Sequence, residues 1–175
     1  MGHTVVTRFD PAGYERIYSL MKDKKANKIP YGRNCDRDLA NEIMDYHITM
    51  VHWGKAQDND YLNKLPEVQF VPCQVTVTGL SVMAAEEGSC LLYFDVIPGE
   101  GFARMRKNLE QALQTGCSGF LHMTLAVSKD RGEILKIKEQ LEKEAVFPFT
   151  LNVEGLDLYH IWKPVKKVRF PEKQS

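Results

Sequence analysis

Two tetrapeptides constrain this chain more than any other feature. His47-Ile48-Thr49-Met50 and His122-Met123-Thr124-Leu125 share the pattern His-apolar-Thr-apolar, 75 residues apart. The chain has only five histidines and eight threonines, so the match calls for an explanation. In a β-strand successive side chains point to opposite faces. His47 and Thr49 then share one face and Ile48 and Met50 the other; His122 and Thr124 stand likewise against Met123 and Leu125. Each strand anchors by its apolar side and presents a His and a Thr roughly 6.5–7 Å apart on the other.

The surroundings of the two motifs also repeat. TVVTRF over 4–9 is β-rich and predicts a strand. Asp10-Pro11 reads as a cap followed by proline at the first helical position. Tyr14, Ile17, Tyr18 and Met21 then predict an amphipathic helix over 11–22, ahead of HITM. The second copy runs from strand LLYFDVI through a helix with Phe102, Met105, Leu109, Ala112 and Leu113 on one face. It stops at Gly116 and leads to HMTL. The first copy carries an insertion over 24–45, comprising a loop through Pro30-Tyr31-Gly32 and a short helix over 36–45. Such a repeat predicts two similar lobes, each presenting one motif strand.

A strand over 70–80 starting near Pro72 follows from its alternation and the proline. Ile134, Ile137, Leu141 and Ala145 predict a third long helix, and strands are expected over 149–161 and 165–170. The 175 residues thus read as one α+β domain with three main helices and six or seven strands. Residues 1–54 and 91–130 supply the two lobes, and 171–175 are expected to form a disordered tail.

The motif chemistry suits a phosphodiester. A neutral imidazole takes a proton from water or a hydroxyl, and an imidazolium returns one to a leaving oxygen. Two histidines flanking one phosphorus supply both roles without a metal. Two threonine hydroxyls can donate to the non-bridging oxygens as their charge rises. One His-x-Thr strand alone would read as a half-buried histidine beside a residue of high β-propensity; the pair favours the catalytic reading.

Charge narrows the substrate. Lys+Arg and Asp+Glu both number 23, which excludes a protein that coats nucleic acid through bulk positive charge. The zero conceals an uneven distribution. Lys22–Arg37 holds six basic residues against two acidic, and Asp38–Glu100 holds ten acidic against two basic. The segment His160–Lys173 is basic again. Brought to one cleft, the basic stretches would attract a phosphate-bearing ligand. No apolar run reaches the roughly 18 residues of a membrane span, and the N-terminus lacks a signal-peptide core. The chain is expected to be cytoplasmic and monomeric, with Cys35, Cys73, Cys90 and Cys117 as free thiols. A zinc site is the alternative use of such side chains. No P-loop, GxGxxG or HExxH pattern is present.

The paired HITM and HMTL resemble the two-histidine (2H) phosphoesterase superfamily, which includes the RNA 2′,3′-cyclic phosphodiesterases also called 2′,5′-RNA ligases. Its mark is two His-x-Thr/Ser motifs about 70–80 residues apart. The resemblance extends over most of the chain and implies a bilobal α+β domain. In it, two antiparallel β-sheets with pseudo-twofold symmetry flank a central cleft, and helices pack outside. It implies no cofactor, and His47, Thr49, His122 and Thr124 as catalytic residues. The substrate expected is a small nucleotide or RNA end carrying a cyclic phosphate or 2′-linked phosphodiester. A nucleotide- or RNA-end-binding protein without turnover is the alternative. Two departures bear on substrate: Ala126-Val127-Ser128 follow the second motif where bacterial RNA enzymes often place Arg, and the 24–45 insertion is longer than in compact members.

Further candidates for substrate contact are Arg33 and Lys129 for phosphate, and Tyr31, Tyr46 and Tyr159 as cleft-lining or base-stacking aromatics. His52 faces away from His47 on a regular strand and reads as structural. His160 reads as a packing residue beside Tyr159 and Trp162.

Overall fold

The structure is a computed structural model and describes residues 3–24, 45–52, 63–160 and 168–171. Strand β1 (His3–Phe9), helix α1 (Pro11–Met21) and strand β2 (Thr49–His52) form the first unit. Strand β3 (Cys73–Ala84) follows. Strand β4 (Cys90–Pro98), helix α2 (Glu100–Leu113) and strand β5 (His122–Ser128) form the second unit. Helix α3 (Arg131–Glu144) and strands β6 (Phe149–His160) and β7 (Val168–Phe170) complete the order. The α+β architecture with three helices agrees with the hydrophobic periodicity. The short helix expected over 36–45 lies outside the described residues except for Asp45.

Local chemistry sets the helix ends. The Asp10 carboxylate accepts from the Gly13 amide at 2.8 Å, with Pro11 opening α1. Asp130 caps α3 by accepting from the Gly132 amide at 2.8 Å and the Glu133 amide at 3.3 Å. Both satisfy amides that have no partner within the helix. Helix α2 stops earlier than Gly116 would place it. Gln114 adopts a left-handed conformation, φ 52°, and its amide donates to the Glu110 carbonyl, closing the helix before the glycine is reached.

The strands form one antiparallel sheet, in the order β2-β1-β6-β3-β4-β5 with β7 also on β6. This corrects the expectation of two separate sheets. The twelve-residue β6 pairs with β1 along Val153–His160 and with β3 along Phe149–Val153. That second ladder joins what would otherwise be a four-strand sheet, β2-β1-β6-β7, and a three-strand sheet, β3-β4-β5. The order still reads symmetrically outward from the β6–β3 junction, as β6-β1-β2 on one side and β3-β4-β5 on the other.

The two motif strands carry the same irregularity. Val6 lies opposite Thr49 and Val5 opposite Val51, leaving Met50 as the extra residue of a bulge. Tyr93 lies opposite Thr124 and Leu92 opposite Ala126, leaving Leu125 as the extra residue. A bulge shifts the alternation of side chains by one. Met50 and Val51 are therefore buried in succession, as are Leu125 and Ala126.

All three helices cover one face of the sheet. Ile17 of α1, Phe102, Met105 and Leu109 of α2, and Ile134, Ile137 and Leu141 of α3 share one cluster with Val5, Ile48, Phe94 and Met123. Each such side chain stabilises the fold by about 1.5–3 kcal/mol on leaving water. Tyr18 departs from the helix-face pattern. It is 48% exposed while Ile17 is fully buried, because its ring turns toward the start of the first motif. None of the described helices is long and apolar enough to cross a membrane.

Candidate active site

The face of the sheet opposite the helices carries both motifs, and the ends of the strand order meet there. Ile48 and Met123 form an antiparallel bridge, and the Ser118 amide donates to the Met50 carbonyl at 2.8 Å. Ile48 is further held by its own amide donating to Thr7 Oγ1 at 2.9 Å and its carbonyl accepting from the Thr7 amide at 3.0 Å. Ile48 and Met123 point into the core, both fully buried. Their neighbours therefore point the other way. An antiparallel register carried one residue to either side of that bridge would set His47 opposite Thr124 and Thr49 opposite His122. The bridge thus brings the two His-x-Thr segments side by side.

Both histidines are anchored in the same way. His47 Nδ1 lies 2.7 Å from the Asp45 carbonyl, and His122 Nδ1 lies 3.4 Å from the Phe120 carbonyl. A carbonyl can only accept, so each Nδ1 carries a proton, and proton exchange with a substrate falls to Nε2. Burial pushes the His47 pKa below its ordinary value. The Asp45 carbonyl opposes that shift, and the nearby His122 adds to it. The His122 ring stacks on Phe120, with centroids 4.6 Å apart, and meets Tyr93 edge-on at 5.4 Å. Phe120 itself is half exposed. Cross-strand, Asp95 is the register partner of His122.

A buried ion pair lies on the same face. Arg8 Nη1 donates to Asp157 Oδ1 at 2.8 Å, with the two residues 5% and 3% exposed. Glu154 stands 3.6 Å from Arg8 Nε, and Arg8 Nη2 donates to the Pro171 carbonyl at 3.2 Å. Asp157 is opposite Val6, which is opposite Thr49. Its charge is near enough to His47 to favour the imidazolium, against the effect of burial.

The remaining candidates fall in different places. Tyr159 packs on Val6, the register partner of Thr49. Tyr46 is half-buried against the Tyr18 ring, with centroids 6.0 Å apart. Lys129 is exposed and follows β5, at the opposite end of that strand from His122, roughly 20 Å away at strand rise. Tyr31 and Arg33, and nearly all of the basic stretches at 22–37 and 160–173, lie outside the described residues or side chains. Lys24 is described, and it pairs with Glu144 at 2.5 Å, tying α1 to α3. Cys73, Cys90 and Cys117 are free thiols. Among the described residues no three His, Cys, Asp or Glu side chains cluster as a cation site would require.

Asp45, Phe120, Tyr93 and the Arg8–Asp157 pair were not singled out in the sequence. Asp45 and Phe120 share one available signal, since each stands two residues before a motif histidine.

No family model and no curated protein matches the sequence. Solved structures do. The structure of Kluyveromyces marxianus Usb1 with uridine monophosphate aligns over 98% of this chain and 97% of its own, with TM-score 0.52 and 11% identity. TT0787 of Thermus thermophilus aligns over 97% of this chain and 93% of its own, with TM-score 0.51 and 18% identity. At these identities the likeness is one of fold.

Proposed function

We propose that this chain is a two-histidine phosphoesterase that hydrolyses a cyclic phosphate or 2′-linked phosphodiester of RNA or a nucleotide. The observation that supports the reading is the Ile48–Met123 bridge, which brings the two His-x-Thr segments side by side in antiparallel sense. A phosphorus seated between the two strands would meet an Nε2 from either side and a hydroxyl beside each. His47, held neutral by burial, takes the proton from the attacking water. His122 carries the proton given to the leaving oxygen. Thr49 and Thr124 donate to the non-bridging oxygens, whose charge peaks in the transition state. Acid–base transfer of this kind contributes about 10²–10⁴-fold in rate. The chemistry needs no metal, because both proton transfers have a resident group.

A nucleotide as ligand is supported by the fold shared with Usb1, whose structure contains uridine monophosphate. The half-exposed ring of Phe120 beside His122 offers a base a stacking surface.

The test is turnover of a panel of 2′,3′-cyclic nucleotides and 2′,5′-linked dinucleotides with EDTA present. Turnover that disappears in both His47→Ala and His122→Ala supports the mechanism. Tight binding without product would replace it with a binding protein on the same fold.

A further inference from the structure

The two histidines share an anchor, but only the first is braced through a carboxylate. On the second strand the Phe120 carbonyl meets His122 Nδ1 at 3.4 Å and also accepts from the Ser118 hydroxyl at 3.2 Å. On the first, the Asp45 carbonyl meets His47 Nδ1 at 2.7 Å, and the Asp45 side chain is fastened at both oxygens. Its Oδ1 accepts from the Tyr46 amide at 2.8 Å, and its Oδ2 accepts from the Tyr18 hydroxyl. Tyr18 is in turn fixed by its helix. It stacks on Tyr14, with centroids 6.1 Å apart. The Tyr14 hydroxyl accepts from the Phe9 amide at 3.2 Å, and Ile17 beside it is fully buried. A tyrosine 48% exposed on a helix makes a bond to a residue 27 positions away. That bond sits at the entry to the first motif.

We propose that Tyr18 is a positioning residue for His47, acting through Asp45. The inference rests on the two-histidine reading. Its physical content is that a carboxylate bonded at both oxygens holds the Asp45 backbone still, so its carbonyl holds the imidazole in one tautomer and one orientation. A reacting group misplaced by about 1 Å can lose about a hundredfold in rate. Helix α1 thus does more than cover the core. Its exposed hydroxyl reaches the base and leaves the acid untouched.

The experiment compares wild type, Tyr18→Phe, Asp45→Ala and the double variant. Tyr18→Phe keeps the ring and its stacking and removes only the hydroxyl. Two readouts are taken: ¹⁵N-detected imidazole signals of both histidines, and kcat and KM on a 2′,3′-cyclic nucleotide. In wild type, His47 is expected as a single Nδ1-protonated tautomer near neutral pH. In Tyr18→Phe its signals should move toward the tautomer average while those of His122 stay in place. The kcat should fall about tenfold with KM little changed. Asp45→Ala should show the same pattern, and the double variant should be no worse than Asp45→Ala alone, as expected for groups acting in series.

Unmoved His47 signals in a folded Tyr18→Phe variant would overturn the proposal. Losses that multiply in the double variant would overturn it too. If wild type turns over none of the substrates, the phosphoesterase reading fails, and the imidazole signals still decide the positioning role.

Discussion

His47 and His122 hold the same relation to their own strands: each Nδ1 meets the carbonyl of the residue two positions earlier. Neither ring's remaining nitrogen is used by that anchor. His47→Ala and His122→Ala should therefore each lower kcat by about 10²–10⁴-fold. The fold should survive in both, since the anchors are single bonds at the edge of the core. Steady-state kinetics alongside thermal melts would check this. A variant that keeps more than a tenth of wild-type kcat would remove its histidine from the mechanism.

The threonines give a second prediction. Thr49→Val and Thr124→Val preserve shape and β-propensity and remove one donor each. A lost transition-state donor costs about 10²–10³-fold in kcat, with little change in KM. A rise in KM at constant kcat would show instead that the hydroxyls bind ground-state phosphate.

The pH dependence follows from His47. Burial holds its folded pKa below the ordinary 6.5, with His122, Asp45 and Asp157 as the charged or titratable neighbours that modify it. The acid limb of kcat/KM should then lie below pH 6.5. Between the two pKa values the unfolded state binds the extra proton, so stability falls as pH drops from about 6.5 toward the folded value and is level above it. His47→Gln should flatten the fall in melting temperature between about pH 7 and pH 5. Equal slopes in the two proteins would rule out this titration.

The Arg8–Asp157 pair supplies a stability prediction. Removing one partner of a buried ion pair leaves an uncompensated charge and costs about 3–5 kcal/mol. Asp157→Ala and Arg8→Ala should both approach that figure in urea unfolding. Gly155→Ala should also destabilise, because a methyl there would crowd the Arg8 guanidinium and lie 2.5 Å from the Phe170 carbonyl. A loss under about 1 kcal/mol, the scale of an exposed pair, would show that water reaches the Arg8 site.

Much of this was legible from local pattern. Alternation placed His47 with Thr49 and His122 with Thr124 on single faces, and the repeat of strand, helix and strand located the paired units. Other features depend on pairings distant in sequence. Arg8 and Asp157 are 149 residues apart, and no periodicity links them. The single sheet depends on Val75 finding Leu151, a choice of partner that composition does not encode. Tyr18 fits a helix-face pattern with Ile17 and Met21, and only the position of Asp45 reveals that its hydroxyl is engaged elsewhere. The stop of α2 at Gln114 rather than Gly116 shows that a non-glycine residue can take the left-handed turn first.

The matched bulges at Met50 and Leu125 carry one more consequence. A frame that repeats itself so closely has no polarity of its own, and by backbone alone a phosphodiester could lie in it in either sense. Direction must then come from the side chains that break the match. Arg8 stands where the other half has Asp95, and Asp157 where it has Ser81. The braced carbonyl of Asp45 stands where the other half has that of Phe120. On the two-histidine reading, those three differences between the halves would set which end of a substrate leaves first.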